Sequence, residues 1–146
     1  MEYTSQEIWD KRFLNIAKEI STWSKDPSRK IGAVLVKHNQ ILGTGYNGFP
    51  KGIKDDERLN QKDKNKYIIH AELNAILNAL KYGIPLKDST IYVYGLPICS
   101  ECAKHLIQVQ VKKVVTKYNE IGTWKESTDL AKEMFKEVNI DYIEYS

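Results

Sequence analysis

Apolar residues recur along the chain with two different periods, and these periods predict the order of helices and strands. Over residues 5–23 the apolar side chains lie three or four positions apart, which is typical of an amphipathic helix. Residues 31–36 and 40–46 are short apolar segments separated by a turn at His38-Asn39, and this arrangement is typical of a strand pair. The chain is therefore predicted to begin with one helix followed by two antiparallel strands.

The second half of the chain alternates between helical and extended patterns. Apolar residues cover most faces of residues 69–82, which predicts a buried helix that ends at Gly83 and Pro85. The predicted elements that follow are strand 90–94, helix 100–110, strand 112–118, helix 127–138 and strand 140–145. Strands joined through a helix normally run parallel. The sequence therefore predicts an α/β fold, a three-layer α/β/α sandwich with a mixed five-stranded sheet.

Length and composition are typical of one globular domain. The chain has 146 residues, of which 42% are hydrophobic and 28% charged, so residues 1–146 are predicted to form a single domain. A net charge of only +3 argues against a stable nucleic-acid partner. No apolar run approaches the roughly 20 residues that cross a bilayer. The charged N-terminal segment lacks the pattern of a signal peptide, so a cytoplasmic location is expected. The charged segment 51–66 is predicted to be a solvated surface loop.

The two cysteines, Cys99 and Cys102, stand three positions apart at the predicted start of a helix. A chain without a secretory signal keeps its thiols reduced, which disfavours a structural disulfide. A Cys-x-x-Cys pair at a helix N-terminus fits a thioredoxin-type redox pair or one half of a metal site. The pair alone does not decide between these two interpretations.

His70 favours the metal site. The His70-Ala71-Glu72 segment opens the predicted buried helix, one strand before the cysteines, and helix N-termini of this kind lie beyond the carboxyl ends of strands. One imidazole and two thiolates are predicted to converge on a tetrahedral zinc ion with a fourth position open for water. Glu72 is predicted to carry protons to and from that water. An isolated first-turn glutamate would complement the helix dipole, but an uncompensated carboxylate in so apolar a helix is costly.

These motifs together resemble the zinc-dependent cytidine deaminase superfamily, whose pattern is His-x-Glu followed by Pro-Cys-x-x-Cys. Longer strings resemble its deoxycytidylate (dCMP) deaminase family, and the likeness runs from about Trp9 to Tyr145. The strings are Ser24-Lys25-Asp26-Pro27-Ser28, Ile31-Gly32-Ala33-Val34, Gly45-Tyr46-Asn47-Gly48, His70-Ala71-Glu72-Leu73-Asn74-Ala75-Ile76 and Cys102-Ala103-Lys104. Here Ile98 separates Pro97 from the first cysteine, a departure that is predicted to alter the lip of the pocket.

The resemblance implies hydrolytic deamination of dCMP to dUMP in pyrimidine deoxynucleotide metabolism, with dCTP as a second candidate substrate. It implies that Zn²⁺ held by His70, Cys99 and Cys102 provides hydroxide for attack on C4 of the cytosine. It also implies that Glu72 carries protons to N3 and to the departing ammonia. The groups expected at the substrate are Asn47 for the sugar, the Ala71 backbone for the base, Arg29 for the phosphate and Tyr118 near the substrate.

The resemblance further implies regulation and assembly. An effector, dCTP or dTTP, is expected at Gly45, Tyr46, Asn47 and Gly48, and the chain is expected to form a homo-oligomer, a hexamer. The same glycines match a dinucleotide fingerprint, but they lead into a loop with a proline rather than into a helix. Two alternatives remain open. One is a tRNA deaminase of the same superfamily, and the other is a non-catalytic zinc-stabilised binding module with a fourth ligand such as His105.

Overall fold

Five strands form one mixed sheet at the centre of the molecule. In the computed structural model, which describes residues 2–146, the strands are β1 (Gly32–Lys37), β2 (Gln40–Tyr46), β3 (Thr90–Tyr94), β4 (Lys113–Lys117) and β5 (Asp141–Tyr145). They lie in the order β2-β1-β3-β4-β5. β1 pairs antiparallel with β2 and β3, whereas β3, β4 and β5 run parallel. The predicted mixed sheet is confirmed.

Four helices cover the two faces of this sheet. They are α1 (Ser5–Ser21), α2 (Ala71–Leu80), α3 (Ser100–Gln108) and α4 (Lys125–Glu137). Side chains alternate across each strand, so Val34 and Val36 pack against α1 whereas Ala33 and Leu35 pack into the core that α2, α3 and α4 cover. The predicted three-layer sandwich is therefore confirmed, with one helix in the first layer and three in the other.

The charged segment between β2 and α2 departs in part from the prediction of a surface loop. It contains two short 3₁₀ helices, Glu57–Asn60 and Lys62–Lys66, and Leu59 of the first is buried. Most of its charged side chains are exposed, but Lys64 is not. None of the helices within residues 2–146 combines the length and the apolar character that crossing a membrane requires.

Small residues let α2 lie directly on β2. A Cβ atom added at Gly45 would stand 2.3 Å from the Ala75 nitrogen and 2.5 Å from the Ala71 oxygen, both of them backbone atoms of α2. Gly43 approaches Ala75 and Ala79 in the same way, one turn further along the helix. Because ordinary contacts between non-bonded heavy atoms begin near 3.5 Å, only glycine fits at Gly45. This close packing sets the position of the N-terminus of α2.

A buried carboxylate joins α1 to the sheet. Asp10 is only 1% exposed and accepts hydrogen bonds from the hydroxyls of Tyr92 and Tyr145, both at 2.8 Å, and from Gln6 at 2.9 Å. The ammonium of Lys113 lies 3.4 Å from each carboxylate oxygen. Burial by itself would raise the pKa of Asp10, but these hydrogen bonds and the charge of Lys113 hold that pKa below its usual value.

Candidate active site

The N-termini of α2 and α3 bring together the three predicted metal ligands. His70 is the N-cap residue of α2, and Cys99 is the N-cap residue of α3, whose first turn carries Cys102. The Nδ1 atom of His70 lies 3.5 Å from the Cys99 sulfur and 3.4 Å from the Cys102 sulfur. The ligand atoms of all three residues lie within 4.8 Å of one another.

These separations fit a tetrahedral zinc ion. Zinc binds sulfur at about 2.3 Å and imidazole nitrogen at about 2.0 Å, so two tetrahedral ligand atoms of these types stand about 3.5 Å apart. Within residues 2–146, His70, Cys99 and Cys102 form the one group of three or more potential ligands that is this compact, and His105 does not belong to it. Three protein ligands would leave the fourth position of a tetrahedral zinc ion open, as in catalytic zinc sites.

Hydrogen bonds within this cluster favour the thiolate form of Cys99. The thiol of Cys102 donates to the Cys99 sulfur, the His70 ring faces it, and the Cys102 backbone nitrogen lies 3.4 Å from it. These contacts lower the pKa of Cys99 below its usual value although burial opposes them. Both cysteines are free thiols. The thiolate rather than the thiol is the form of cysteine that binds a metal ion.

Glu72 lies in the first turn of α2 beside these ligands. Its side chain is almost fully enclosed, with 5% of the residue exposed. Burial is the main reason that its pKa rises to about 7, and the positive charge of His70 opposes this rise. A carboxyl group with a pKa near neutrality both takes up and releases protons readily.

A cavity of about 350 Å³ opens beside the ligands. His70, Ala71, Glu72 and Cys99 form one part of its lining. The other lining residues are Asp26, Ser28, Arg29, Ile31, Asn47, Lys64, Asn65, Ile68, Leu96, Pro97, Thr123 and Trp124. A volume of this size falls within the range of small-molecule sites.

Asn47 is a wall residue that also holds the loop between α1 and β1 in place. Its side-chain oxygen accepts from the Ile31 nitrogen at 2.9 Å, and its side-chain nitrogen donates to the Arg29 carbonyl at 2.9 Å. The Ser24 hydroxyl donates to the Asn47 carbonyl at 2.8 Å. Asn47 is therefore positioned to contact a ligand and to fix the wall that Arg29 belongs to.

Three of the four residues predicted at the substrate line the cavity, and Tyr118 does not. Ala71 and Asn47 lie at the cavity, and so does Arg29, whose guanidinium makes no hydrogen bond or salt bridge with any residue of the described range. The Tyr118 hydroxyl donates to Glu144, and its ring lies in a neighbouring depression that shares Arg29 with the cavity.

Residues 45–48, the segment predicted to bind an effector, include both buried and exposed residues. Gly45 is buried under α2 and leaves no space for a ligand. Tyr46 is exposed, and its ring stands edge-on to that of Trp23 with the centroids 6.2 Å apart. Gly48 pairs with Ile69 through two backbone hydrogen bonds. Tyr46 is thus the member of this segment with a free side-chain surface.

Several lining residues were missed by the sequence interpretation. Asp26 and Ser28 belong to a string that carries the family resemblance, and this was a usable signal. Lys64 lies in the charged segment 51–66, which was predicted to be a solvated surface loop, and Trp124 belongs to none of the sequence motifs, so neither residue was expected at the cavity. The Trp124 ring stands edge-on to the His70 ring at 6.2 Å. Ile98 itself is fully buried in the core, whereas its neighbours Leu96 and Pro97 line the cavity, so the effect of this added residue on the pocket lip stays a prediction.

The fold and the ligand set define a class, the zinc-binding deaminases. Residues 7–118 match the family described as "Cytidine and deoxycytidylate deaminase zinc-binding region". The chain belongs to this family. Zinc is therefore the metal that the family and the three converging ligands both indicate.

Individual relatives agree with this assignment. An uncharacterized deaminase in the luxG 3' region of Aliivibrio fischeri is 36% identical over 138 residues, covering 91% of this chain and 90% of the relative. The deoxycytidylate deaminase of Mus musculus is 37% identical over 149 residues, and the match covers 94% of this chain and 80% of the relative. The structure of the dCMP deaminase of cyanophage S-TIM5, solved with dCMP and dUMP, matches this chain with a TM-score of 0.81 at 24% sequence identity. The match covers 98% of this chain and 100% of the phage chain, and it supports the fold.

Proposed function

We propose that residues 1–146 act as one zinc-dependent domain that hydrolyses dCMP to dUMP and ammonia. The observation that carries this proposal is the juxtaposition of three zinc ligands with the buried carboxyl group of Glu72 at one cavity. In this reaction a water oxygen adds to C4 of the cytosine, the bond between C4 and the amino nitrogen breaks, and ammonia leaves. No oxidant or reductant is needed.

His70, Cys99 and Cys102 would hold the metal ion. When bound, the zinc ion supplies the Lewis acidity that lets water act as a nucleophile at neutral pH. The thiols must stay reduced to bind it, which supports a cytoplasmic setting for the reaction. The relative from mouse is named as a deoxycytidylate deaminase, and this supports the choice of substrate.

Glu72 moves the protons. Its carboxylate takes a proton from the attacking water and passes it to N3 of the base. It then takes the second proton from the oxygen now bound to C4 and passes it to the amino group, which leaves as ammonia. Its place in the first turn of α2, two residues after a ligand, keeps this carboxyl group beside the reacting water. Its burial excludes competing proton exchange with bulk solvent.

The cavity wall orients the nucleotide. The Ala71 backbone at the start of α2 faces the base, Asn47 faces the sugar, and Arg29 faces the phosphate. The Arg29 guanidinium has no hydrogen-bond or salt-bridge partner among residues 2–146, which supports this last role, because a phosphate accepts two parallel hydrogen bonds from arginine. Tyr118 is left out of this set because its hydroxyl is already engaged by Glu144.

A substrate panel tests the proposed function. Zinc-loaded protein is incubated with dCMP, dCTP, CMP and deoxycytidine, and ammonia release is followed over time. We expect turnover of dCMP, with or without slower turnover of dCTP. Release of no ammonia from any of these compounds by protein that contains one zinc ion per chain would overturn the proposal.

Two single variants, each replacing a glutamate in the first turn of a helix, test the role of Glu72. Glu72→Gln should lower turnover by about 10²–10⁴-fold, the usual contribution of a positioned acid–base group, and should keep its zinc. The matched control is Glu101→Gln, because Glu101 lies in the first turn of α3 but is exposed and paired with Lys104. Equal turnover by the two variants would remove Glu72 from the mechanism.

We also propose that the chain forms a homo-oligomer, a hexamer, that responds to dCTP and dTTP. Exposed apolar side chains support assembly, namely Leu77 and Leu80 on α2, Tyr82 after it, and the neighbouring pair of Trp23 and Tyr46. Analytical ultracentrifugation at several concentrations tests assembly, and a species that stays monomeric would contradict it. Steady-state rates with and without dTTP test regulation, and identical curves would contradict an effector site.

A further inference from the structure

Lys64 joins the charged segment before α2 to the loop between α1 and β1. Its Nζ atom lies 2.7 Å from the Asp26 Oδ1 atom and 2.7 Å from the Ser28 hydroxyl oxygen. The side chain of Lys64 is 15% exposed and that of Asp26 is 5% exposed, so this is a largely buried pair. All three residues line the cavity that holds the zinc ligands.

The hydrogen bonds that Asp26 accepts stabilise its carboxylate, which binds the Lys64 ammonium. Its Oδ1 atom accepts from the backbone nitrogens of Ser28 at 2.8 Å and Arg29 at 3.3 Å, as well as from Lys64. Burial alone would raise the pKa of Asp26, but the hydrogen bond from Lys64 and those from the backbone hold that pKa below its usual value. The same carboxylate thus fixes the Lys64 ammonium and the backbone of Arg29.

Two cations therefore face one cavity. Lys64 and Arg29 are the lysine and arginine residues among its described lining. An ammonium group has three donors, and two of those on Lys64 are directed at Asp26 and Ser28, which leaves one unassigned. The Arg29 guanidinium has no partner within residues 2–146. Both groups thus have donors left for a doubly charged anion.

We infer that Lys64, held by Asp26 and Ser28, makes the cavity selective for a substrate that carries a phosphate group. The inference rests on the proposed deamination of dCMP and adds a residue that determines which cytosine compound is accepted. The donors left on Lys64 and Arg29 can both bind the oxygens of a phosphate monoester, whereas deoxycytidine offers them no acceptor of comparable strength. Lys64 is a specificity-determining residue and takes no part in the bond changes at C4.

A purely structural role for Lys64 predicts a different outcome. If Lys64 only tied two segments together, its loss would disturb the cavity for every substrate to the same extent. If it contacts the phosphate, its loss penalises dCMP and leaves deoxycytidine unaffected. The ratio of kcat/KM for dCMP to kcat/KM for deoxycytidine therefore separates the two roles.

The test variant is Lys64→Met, and the matched control is Lys66→Met. Lys66 lies two residues further along the same 3₁₀ helix and is 76% exposed, and its Nζ atom stands 3.6 Å from Oδ1 of Asp63, which is also exposed. A hydrogen bond to a charged group contributes about 1.5–3 kcal/mol, so Lys64→Met should lower the kcat/KM ratio about 10–100-fold. Lys66→Met should leave the ratio unchanged.

Two further measurements keep the test decisive. Should Lys64→Met fail to fold, Lys64→Gln takes its place, because an amide still donates to Asp26 while lacking the positive charge. Should deoxycytidine be turned over too slowly, the ratio is taken from the dissociation constants of dUMP and deoxyuridine. A parallel loss for both compounds, or no loss for the phosphorylated one, overturns the inference. Wild-type protein that deaminates neither substrate refutes the proposed function instead.

Discussion

The contact between β2 and α2 predicts that a single added methyl group at Gly45 will damage the zinc site. In Gly45→Ala the new Cβ atom would stand 2.3 Å from the Ala75 nitrogen and 2.5 Å from the Ala71 oxygen. Both atoms belong to the backbone of α2, so rotation of a side chain cannot relieve the clash. The helix would have to retreat by about 1 Å, because ordinary contacts begin near 3.5 Å.

A shift of this size matters because α2 carries His70 at its N-cap. Metal sites tolerate displacements of about 0.2 Å in ligand distance, so a helix that moves by about 1 Å takes the imidazole out of reach of the two sulfurs. Overpacking costs typically 1–3 kcal/mol. We expect a loss of unfolding free energy of about 3 kcal/mol, at the upper end of this range, together with loss of bound zinc.

Zinc content after dialysis and the urea unfolding midpoint are the two measurements for Gly45→Ala. Gly48→Ala is the neutral control, because its Cβ would meet only the Tyr46 ring, at 3.9 Å. Gly32→Ala is the control for instability without site damage, since its Cβ would stand 2.0 Å from the Ala17 oxygen of α1, on the other face of the sheet. A Gly45→Ala protein that keeps its zinc and unfolds at the same urea concentration as Gly48→Ala would show that α2 accommodates the added methyl group without moving His70.

Three other substitutions have defined outcomes. Asp10→Ala should lower the free energy of unfolding at pH 7 by about 3 kcal/mol, because it removes the partner of a buried cation. The folded-state pKa of Asp10 is lowered, so its stabilising effect is full above the unfolded pKa of about 3.9 and disappears as pH falls through the folded value. The difference from wild type in urea titrations should therefore shrink below about pH 4, and a constant difference would contradict this assignment. Asn47→Ala leaves the buried Ile31 nitrogen unpaired, which should cost about 2 kcal/mol and raise the KM for dCMP; an unchanged KM would count against its place in the wall. Tyr118→Phe removes a hydroxyl that donates to Glu144 and should change kcat/KM by no more than about twofold, whereas a tenfold loss would restore Tyr118 to the substrate site.

The order of helices and strands was predictable because apolar residues recur with one spacing in the helices and with another in the strands. The strands alternate between two covered faces, and the apolar residues of α1 recur at helical spacing along the side that meets the sheet. Parallel pairing of the last three strands followed from the helices between them. The start of α4 at Lys125 was missed by two residues, because the short 3₁₀ helix Gly122–Trp124 leads directly into it without a side-chain cap.

The metal ligands were predictable because they lie at element boundaries. His70 and Cys99 each precede a helix, so topology alone brings them to one edge of the sheet. Lys64 reaches the cavity through contacts with residues 36 and 38 positions earlier, and such a contact has no local pattern in the sequence. Trp124 lies in a short turn whose direction depends on how α4 packs. Side chains that line a cavity from such segments become visible only in three dimensions.

The placement of the ligands at two N-caps also affects how the chain opens and closes. His70 and Cys99 are 29 positions apart, and the segment between them contains α2 and all of β3, the middle strand of the sheet. A metal ion bound to both residues is a cross-link that closes this segment into a loop. Withdrawal of the middle strand would pull on the ends of that loop. Metal exchange and local opening of the sheet are therefore expected to be coupled, so that hydrogen exchange in β3 would report how firmly the metal is held.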